Sequence, residues 1–280
     1  MNLTNPYNVK ILFGICFIIF FMQTIVLADV SFSDSSYVKV EPEFFYFNYW
    51  EVNDNHDLFM KEYGLMKGVS LTFLYNSNFL FKVEGKFAYG DISYDGSTSD
   101  GHPVKLNNVS DYTFEIRELI GKQFSLNSEI FISPFLGLGY RNLIDELGRA
   151  SYLGYKRESN YLYFPIIIET SVNLKKDVIM NNEFEYDLFV LGLQNSYLSD
   201  FNPAYSDVKN IQDQGFGLKN NISVHVPLKN IILCTRLFVR YWHVKKSSLA
   251  YLKKSGENIE YVWEPENNSI EFGLSLGIIF

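Results

Sequence analysis

SIEFGLSLGIIF, residues Ser269 to Phe280, closes the sequence and alternates apolar with small or polar side chains. Ile270, Phe272, Leu274, Leu276, Ile278 and Phe280 fall on one face; Ser269, Glu271, Gly273, Ser275 and Gly277 fall on the other. A β-strand has a side-chain period of two, so the segment is a strand with one greasy face and one polar or empty face. In a soluble sandwich a polar tail would usually follow it. Here the strand stops on an aromatic ring.

Working outward, the same period recurs. Alternating segments lie near residues 37–50, 63–75, 79–91, 112–124, 130–141, 161–173, 178–191, 215–226, 231–242 and 269–280. Each is long enough to cross a bilayer as a tilted strand, which takes about 9–11 residues. Their connections alternate in length. Asn76-Ser77-Asn78, Ser125 to Ser128, Lys175-Lys176-Asp177 and Pro227 to Asn230 are short; Ser93 to Asp111, Asn142 to Asn160, Gly192 to Gln214 and His243 to Asn267 are long and polar. Sorting loops by length is what a membrane barrel with tight inner turns and long outer loops requires.

The terminal strand resembles the closing strand of bacterial outer-membrane β-barrels. In that class the terminal aromatic and the alternating residues before it, here Phe272, Leu274, Leu276, Ile278 and Phe280, form the signal read by the barrel-assembly machinery. The resemblance implies an all-β fold, a transmembrane antiparallel up-and-down barrel of about ten strands, with eight or twelve as alternatives. It also implies a bacterial outer-membrane location, contact with outer-membrane lipid and lipopolysaccharide, and passage through periplasmic chaperones. Segments such as Arg157-Glu158-Ser159, Tyr161-Leu162-Tyr163 and Glu185-Tyr186-Asp187 are similar to stretches of uncharacterised barrels of this size, which carry no known activity.

Composition agrees. Aromatics make up 17% of the 280 residues, yet beyond the N-terminus no apolar run reaches the roughly 18 residues of a membrane helix. Lys10, the apolar stretch Ile11 to Phe21, and Val26-Leu27-Ala28 read as a secretory leader cleaved after Ala28, leaving residues 29–280 as the barrel. Cleavage removes Lys10 and no acid, so 23 basic residues face 32 acidic ones, a net −9. That balance excludes a nucleic-acid partner, since no basic patch is left to meet phosphates. Cys234 is the one cysteine beyond the leader, so neither a disulfide within the barrel nor a thiolate metal site is expected. Nothing points to a cofactor, and a monomer is the favoured state.

Aromatics also gather at strand ends, as two interfacial girdles would require. Trp50, Tyr63, Tyr89, Tyr112, Tyr140, Tyr161 and Tyr241 fall at the outer rim; Tyr75, Phe79, Phe124 and Phe280 fall at the inner one. The first strand is less clean, with apolar rings on the face that its charges assign to the inside, and the sixth is ambiguous. Phe45, Phe47 and Tyr49 share a face with Lys39, Glu41 and Glu43, and Ile166-Ile167-Ile168 runs into Glu169, which fits neither side.

The polar faces carry basic Lys39, Lys82, Lys86, Arg117, Arg141, Lys219, Arg236 and Arg240 against acidic Glu41, Glu43, Glu84, Glu115, Glu183, Glu185, Asp187 and Glu271. Balanced signs point to a lattice of ion pairs filling the lumen; a charge-selective pore would favour one sign. Strand order predicts Arg240 with Glu271, Glu115 with Arg141, and Arg236 with Lys219 as partners of the run Glu183, Glu185, Asp187. A cation site at that run is the alternative.

No catalytic constellation survives inspection. Omptin proteases place an Asp-His pair and paired aspartates at the outer mouth, whereas Asp54-Asn55-His56 here stands in the first outer loop with no aspartate pair opposite. Outer-membrane phospholipase A and the lipid A deacylase use His-x-Ser; Ser223-Val224-His225 reverses that order and lies on the polar face. His56, His102, His225 and His243 have no metal-ligand spacing. The expectation is a non-catalytic barrel with a filled, charge-balanced lumen and a surface role as adhesin, receptor or structural element. A narrow porin-like channel is the alternative, and a membrane-embedded hydrolase ranks below it.

Overall fold

A computed structural model describes residues 36–97, 101–152, 154–174 and 178–280. The expected leader, residues 1–28, and the turn Lys175-Lys176-Asp177 lie outside them. Ten long strands form the barrel: β1 (Tyr37–Val52), β2 (Leu58–Asn76), β3 (Leu80–Ser97), β4 (Pro103–Gly121), β5 (Ile130–Asp145), β6 (Arg157–Asn173), β7 (Ile179–Ser196), β8 (Gly215–Leu228), β9 (Ile231–Val244) and β10 (Glu266–Ile279). Each pairs antiparallel with its sequence neighbour, and β10 pairs back with β1 from Lys39↔Ile279 to Val52↔Glu266. Reciprocal bonds between Val38 and Phe280, at 3.3 and 2.9 Å, finish the seam. The sheet therefore has no open edge along the barrel wall, the condition a strand must meet in hydrocarbon.

Strands run further outward than their periodicity suggests. β2 and β4 are each 19 residues long, and β3 reaches Ser97. Residues 93–97 and 103–111 of the polar stretch from Ser93 to Asp111 are thus paired strand. Cross-strand hydrogen bonding persists above the membrane although the apolar alternation that reveals it there has ended. Two further pieces stand on the outer side. Val208–Gln212 extends the wall beside the top of β7, and Ala250–Lys254 pairs with Glu257–Val262 as a separate hairpin.

The alternating face of β10 behaves as read: Phe272, Leu274 and Leu276 are exposed, while Glu271 and Ser275 are buried. Outside the wall, large apolar side chains such as Leu71, Phe87, Leu136, Ile168 and Leu237 stay exposed to the surroundings in a continuous band. A band of that kind on a water-facing surface would be a severe liability; against lipid it is the stabilising face. Its upper limit is drawn by tyrosines. Tyr140 donates to Asn160 Oδ1 at 2.5 Å and Tyr241 to Asn268 Oδ1 at 2.6 Å, so each ring lies at the belt's edge with its hydroxyl on a polar row above.

Tyr161 departs from the expected girdle. It is buried, its ring centroid 6.0 Å from that of Trp242 inside the barrel. A register shift between Leu162 and Tyr163 lies beside it, and rim position in the sequence does not say which face a ring takes. The two less regular strands resolve inward. Phe45, Phe47 and Tyr49 are buried with Met60, Met66, Ile92 and Leu143 in an apolar layer near the outer side. Ile167 joins Leu74, Leu80, Leu119 and Phe135 in a second layer near the inner turns, while Ile166 and Ile168 face out.

Gly139 marks a place where the wall must be bare, because a Cβ there would run into the ring of Tyr163. Replacing it with Val is expected to push that ring out of place and to cost about 1–3 kcal/mol, read from urea unfolding of the refolded barrel. The native protein is expected to migrate faster in unboiled than in boiled electrophoresis samples. Mobility independent of boiling would contradict closure.

Candidate functional site

Between the two apolar layers the lumen holds a three-dimensional lattice of charges. Strand alternation puts these residues inside, and the sheet's curvature then brings together side chains from opposite walls. Glu271, 1% exposed, is the clearest node. It accepts from Lys86 Nζ at 2.6 Å, Arg141 at 3.0 Å and Arg240 at 3.1 Å. The expected pair Arg240–Glu271 is therefore present, in register across β9 and β10. Glu115 and Arg141 also face each other in register, but Arg141 reaches over the lumen to Glu271. Glu115 instead accepts from Lys219 at 2.5 Å and from Tyr163 Oη at 2.6 Å.

The acidic run on β7 is neutralised by more cations than adjacency suggests. Lys219 lies 3.0 Å from Glu185 and 3.6 Å from Asp187. Arg117 bonds Glu185 and Glu84, and it lies 3.4 Å from Glu183. Arg236, expected here, turns to β1 and meets Glu43 at 2.6 Å and Glu41 at 3.2 Å. Glu169, unplaced by the pattern, faces inward and takes Lys82 at 2.8 Å. Lysine and arginine stems add contact with rings: Arg240 stands 4.0 Å over Phe238 and Lys86 4.4 Å over Phe45.

Cavities left by the lattice are small. One, about 40 Å³, is bordered by Glu43, Lys86, Arg117 and Arg240; another of about 40 Å³ lies lower, beside Lys39, Glu169, Ser223 and His225. Each has room for one or a few waters, not for a solute. In the lower one Ser223 Oγ is 3.2 Å from His225 Nε2, and Asn181 Nδ2 is 3.2 and 3.4 Å from the two ring nitrogens. An amide placed almost equally from both nitrogens does not orient the imidazole as a base for the serine. Asp54, in the first outer loop, is occupied by Lys246 at 2.8 Å. Among the described residues no group of three or more His, Cys, Asp or Glu side chains is arranged to hold a metal ion.

A second charged cluster lies above the tyrosine row, beyond the segments that apolar alternation marks. Arg157, at the start of β6, donates to Glu51 at 2.6 Å, Asp145 at 3.0 Å and Glu62 at 3.1 Å. Asp111 and Glu264 are buried close by. These residues sit at strand ends, where the sequence shows only polar character. The detectable signal was an even spacing of acids continuing each inward face past the membrane edge.

Removing the central acceptor tests the lattice. Glu271→Ala would leave Lys86, Arg141 and Arg240 short of a counter-charge in a water-poor lumen. A loss of about 3–5 kcal/mol is expected, measured as the urea midpoint and refolding yield. Unchanged values would refute the pairing.

No protein-family model matches the chain, and no curated protein matches it. Solved structures do. The outer membrane protease OmpT from Escherichia coli superposes with a TM-score of 0.56 at 8% identity, over 90% of this chain and 98% of that one. The translocator domain of the autotransporter NalP from Neisseria meningitidis gives 0.37 at 11% identity, covering 86% and 87%. The Pseudomonas putida toluene transporter TodX gives 0.34 at 8%, covering 88% and 89%. At such identities the likeness is one of fold, and the superposition with OmpT alone among these three is close enough to weigh. It agrees with the ten-stranded antiparallel closure seen here.

Proposed function

We propose that this ten-stranded barrel, of the kind built into Gram-negative outer membranes, is a non-catalytic surface protein whose lumen is closed and whose projecting outer segments make its contacts. One observation carries the reading. Opposite walls are tied by ion pairs through the middle of the barrel, including Arg117–Glu183, Lys86–Glu271 and Arg141–Glu271. A solute would have to break several buried pairs at once, each strongly unfavourable to separate. Small barrels fill their interiors with side chains, and this one follows that rule with charges set between two apolar layers.

The outer segments supply what the lumen does not. The Ala250–Lys254 and Glu257–Val262 hairpin displays Tyr251, Ile259 and Tyr261, and Trp263 follows it, all exposed. Tyrosine-rich surfaces on a rigid scaffold are common in recognition, because a ring adds contact area with little rotamer entropy to lose. The role is that of adhesin, receptor or structural surface element, in contact with lipid and lipopolysaccharide along the belt. The Ser223–His225 pair is a structural part of the lower lumen under this reading.

Planar-bilayer recording of the refolded protein tests it. No stable unitary conductance is expected in molar potassium chloride. Reproducible steps would favour the narrow-channel alternative. If the lattice is the barrier, the double variant Glu271→Ala with Arg240→Ala should open a conductance absent from the parent.

A further inference from the structure

The cluster at the outer mouth is built differently from the lattice below it. In the lumen acids and bases alternate; at the mouth five carboxyl groups, Glu51, Glu62, Asp111, Asp145 and Glu264, surround the single guanidinium of Arg157. None of the five is more than 6% exposed. Asp111 is wholly buried, and neither of its oxygens has a hydrogen-bond partner among the described residues. Ionised together, these groups would carry several uncompensated negative charges in a place with little water, which is strongly unfavourable.

The geometry offers a way out. Carboxyls are gathered in pairs by shared donors: Glu51 and Glu264 on Tyr49, Glu62 and Asp145 on Arg157. Tyr49 Oη, donating to Glu51 at 3.0 Å and standing 3.5 Å from Glu264, spans the first pair. Two buried carboxyls crowded on one donor are relieved of their repulsion when one of them takes up a proton. The first pair also joins separate parts of the chain. Glu51 belongs to β1, whereas Glu264 ends the outer arm that runs from Lys245. Ser247 and Glu264 close the arm's base, with backbone N–H to carbonyl at 3.0 Å and Glu264 N–H to Ser247 Oγ at 2.8 Å.

We infer that the mouth is a proton-operated latch: a proton on Glu264, beside Glu51, fastens the base of the outer arm, residues 245–265, to the barrel rim, and its loss loosens that base. Bonds such as Ser248 N–H to Ile211 O at 2.8 Å keep the arm on the neighbouring segment. Glu62, buried beside Asp145, and Asp111 add further sites for a proton. Ionisable groups face the latch from several elements. Tyr49 comes from β1, Tyr94 from β3, Tyr155 from the segment before β6, and Arg157 and Tyr161 from β6 itself. Among these groups Arg157 is the cation, and Glu51, Asp145 and Glu62 share it. The Lys245–Glu266 pair at 3.0 Å and Lys246–Asp54 pair at 2.8 Å lie outside in solvent and tether the hinge.

The direction of the response follows from the chemistry. Burial, and then the nearby Glu51, push the Glu264 carboxyl up from its ordinary 4.5 to about 8. Burial with the neighbouring Asp145 raises Glu62 and Asp111 as well. A raised carboxyl binds its proton more tightly in the closed form, so closure is strongest below about 4.5 and is lost as pH rises through about 8. One linked proton changes the open-to-closed ratio about tenfold per pH unit within that window.

Hydrogen exchange of peptides from residues 245–265, in the full barrel refolded into lipid nanodiscs, reads the latch directly. After correction for the chemical exchange rate, the open fraction is expected to rise about tenfold per pH unit between roughly pH 5 and 8. Glu264→Gln, whose amide donates as the protonated acid does, should keep the arm protected across the range. Glu51→Gln should do the same and serves where the first variant refolds poorly; unboiled electrophoresis confirms an intact barrel at each pH. Protection that ignores pH in the parent, or amide variants that follow the parent's pH dependence, would overturn the proposal.

Discussion

A strand in hydrocarbon has no water for its backbone, so the pairing of β10 with β1 is the contact on which the molecule rests. Without the ladder from Lys39↔Ile279 to Val52↔Glu266, two rows of N–H and C=O groups would face lipid unpaired. Closure also creates an interior. Every inward side chain is then surrounded by other inward side chains, which forces the charges on strand after strand to find partners within the same narrow space. The seam and the charge lattice are thus two sides of one constraint.

Within that interior the signs are arranged by depth. Near the inner turns apolar side chains, Leu80, Leu119 and Phe135 among them, pack together on one part of the wall. Above them Glu271, Glu43, Arg117 and Lys219 form multivalent nodes in which each charge touches two or more opposite ones. Such nodes offset the desolvation that would make an isolated buried pair weak. Near the outer side Phe45, Phe47 and Met66 form another apolar layer on one part of the wall, while Tyr163 and Trp242 pack edge to face at 5.0 Å. Beyond it the balance of signs ends, and acids crowd a lone arginine. A mouth able to take up protons can then differ from a lumen that is fixed.

Fold and face assignment were legible because alternation is a local property. Phe272, Leu274 and Leu276 announce the lipid side without reference to any other strand, and the tight turn after Asn76 places the next strand beside it. Adjacent partners were legible to the extent that register is local too, as with Arg240 and Glu271. The pairs that failed are instructive. Arg141 and Glu115 stand opposite each other in register, yet a guanidinium on a long stem reaches further into the lumen than the neighbouring strand, and Glu271 lies there. Arg236 likewise serves Glu41 and Glu43 on the far side of β10, not the acids of β7.

By itself the sequence determined a closed membrane barrel, because period-two alternation, sorted loop lengths and a terminal amphipathic strand each follow from nearest-neighbour geometry. It also determined that the lumen is charged and balanced. Tertiary structure alone decided which charges meet, that Tyr161 turns inward, and that five acids from β1, β2, β4, β5 and the outer arm converge on Arg157. Those outcomes depend on the curvature that carries side chains across a lumen, and curvature is a property of ten strands together that no single strand encodes.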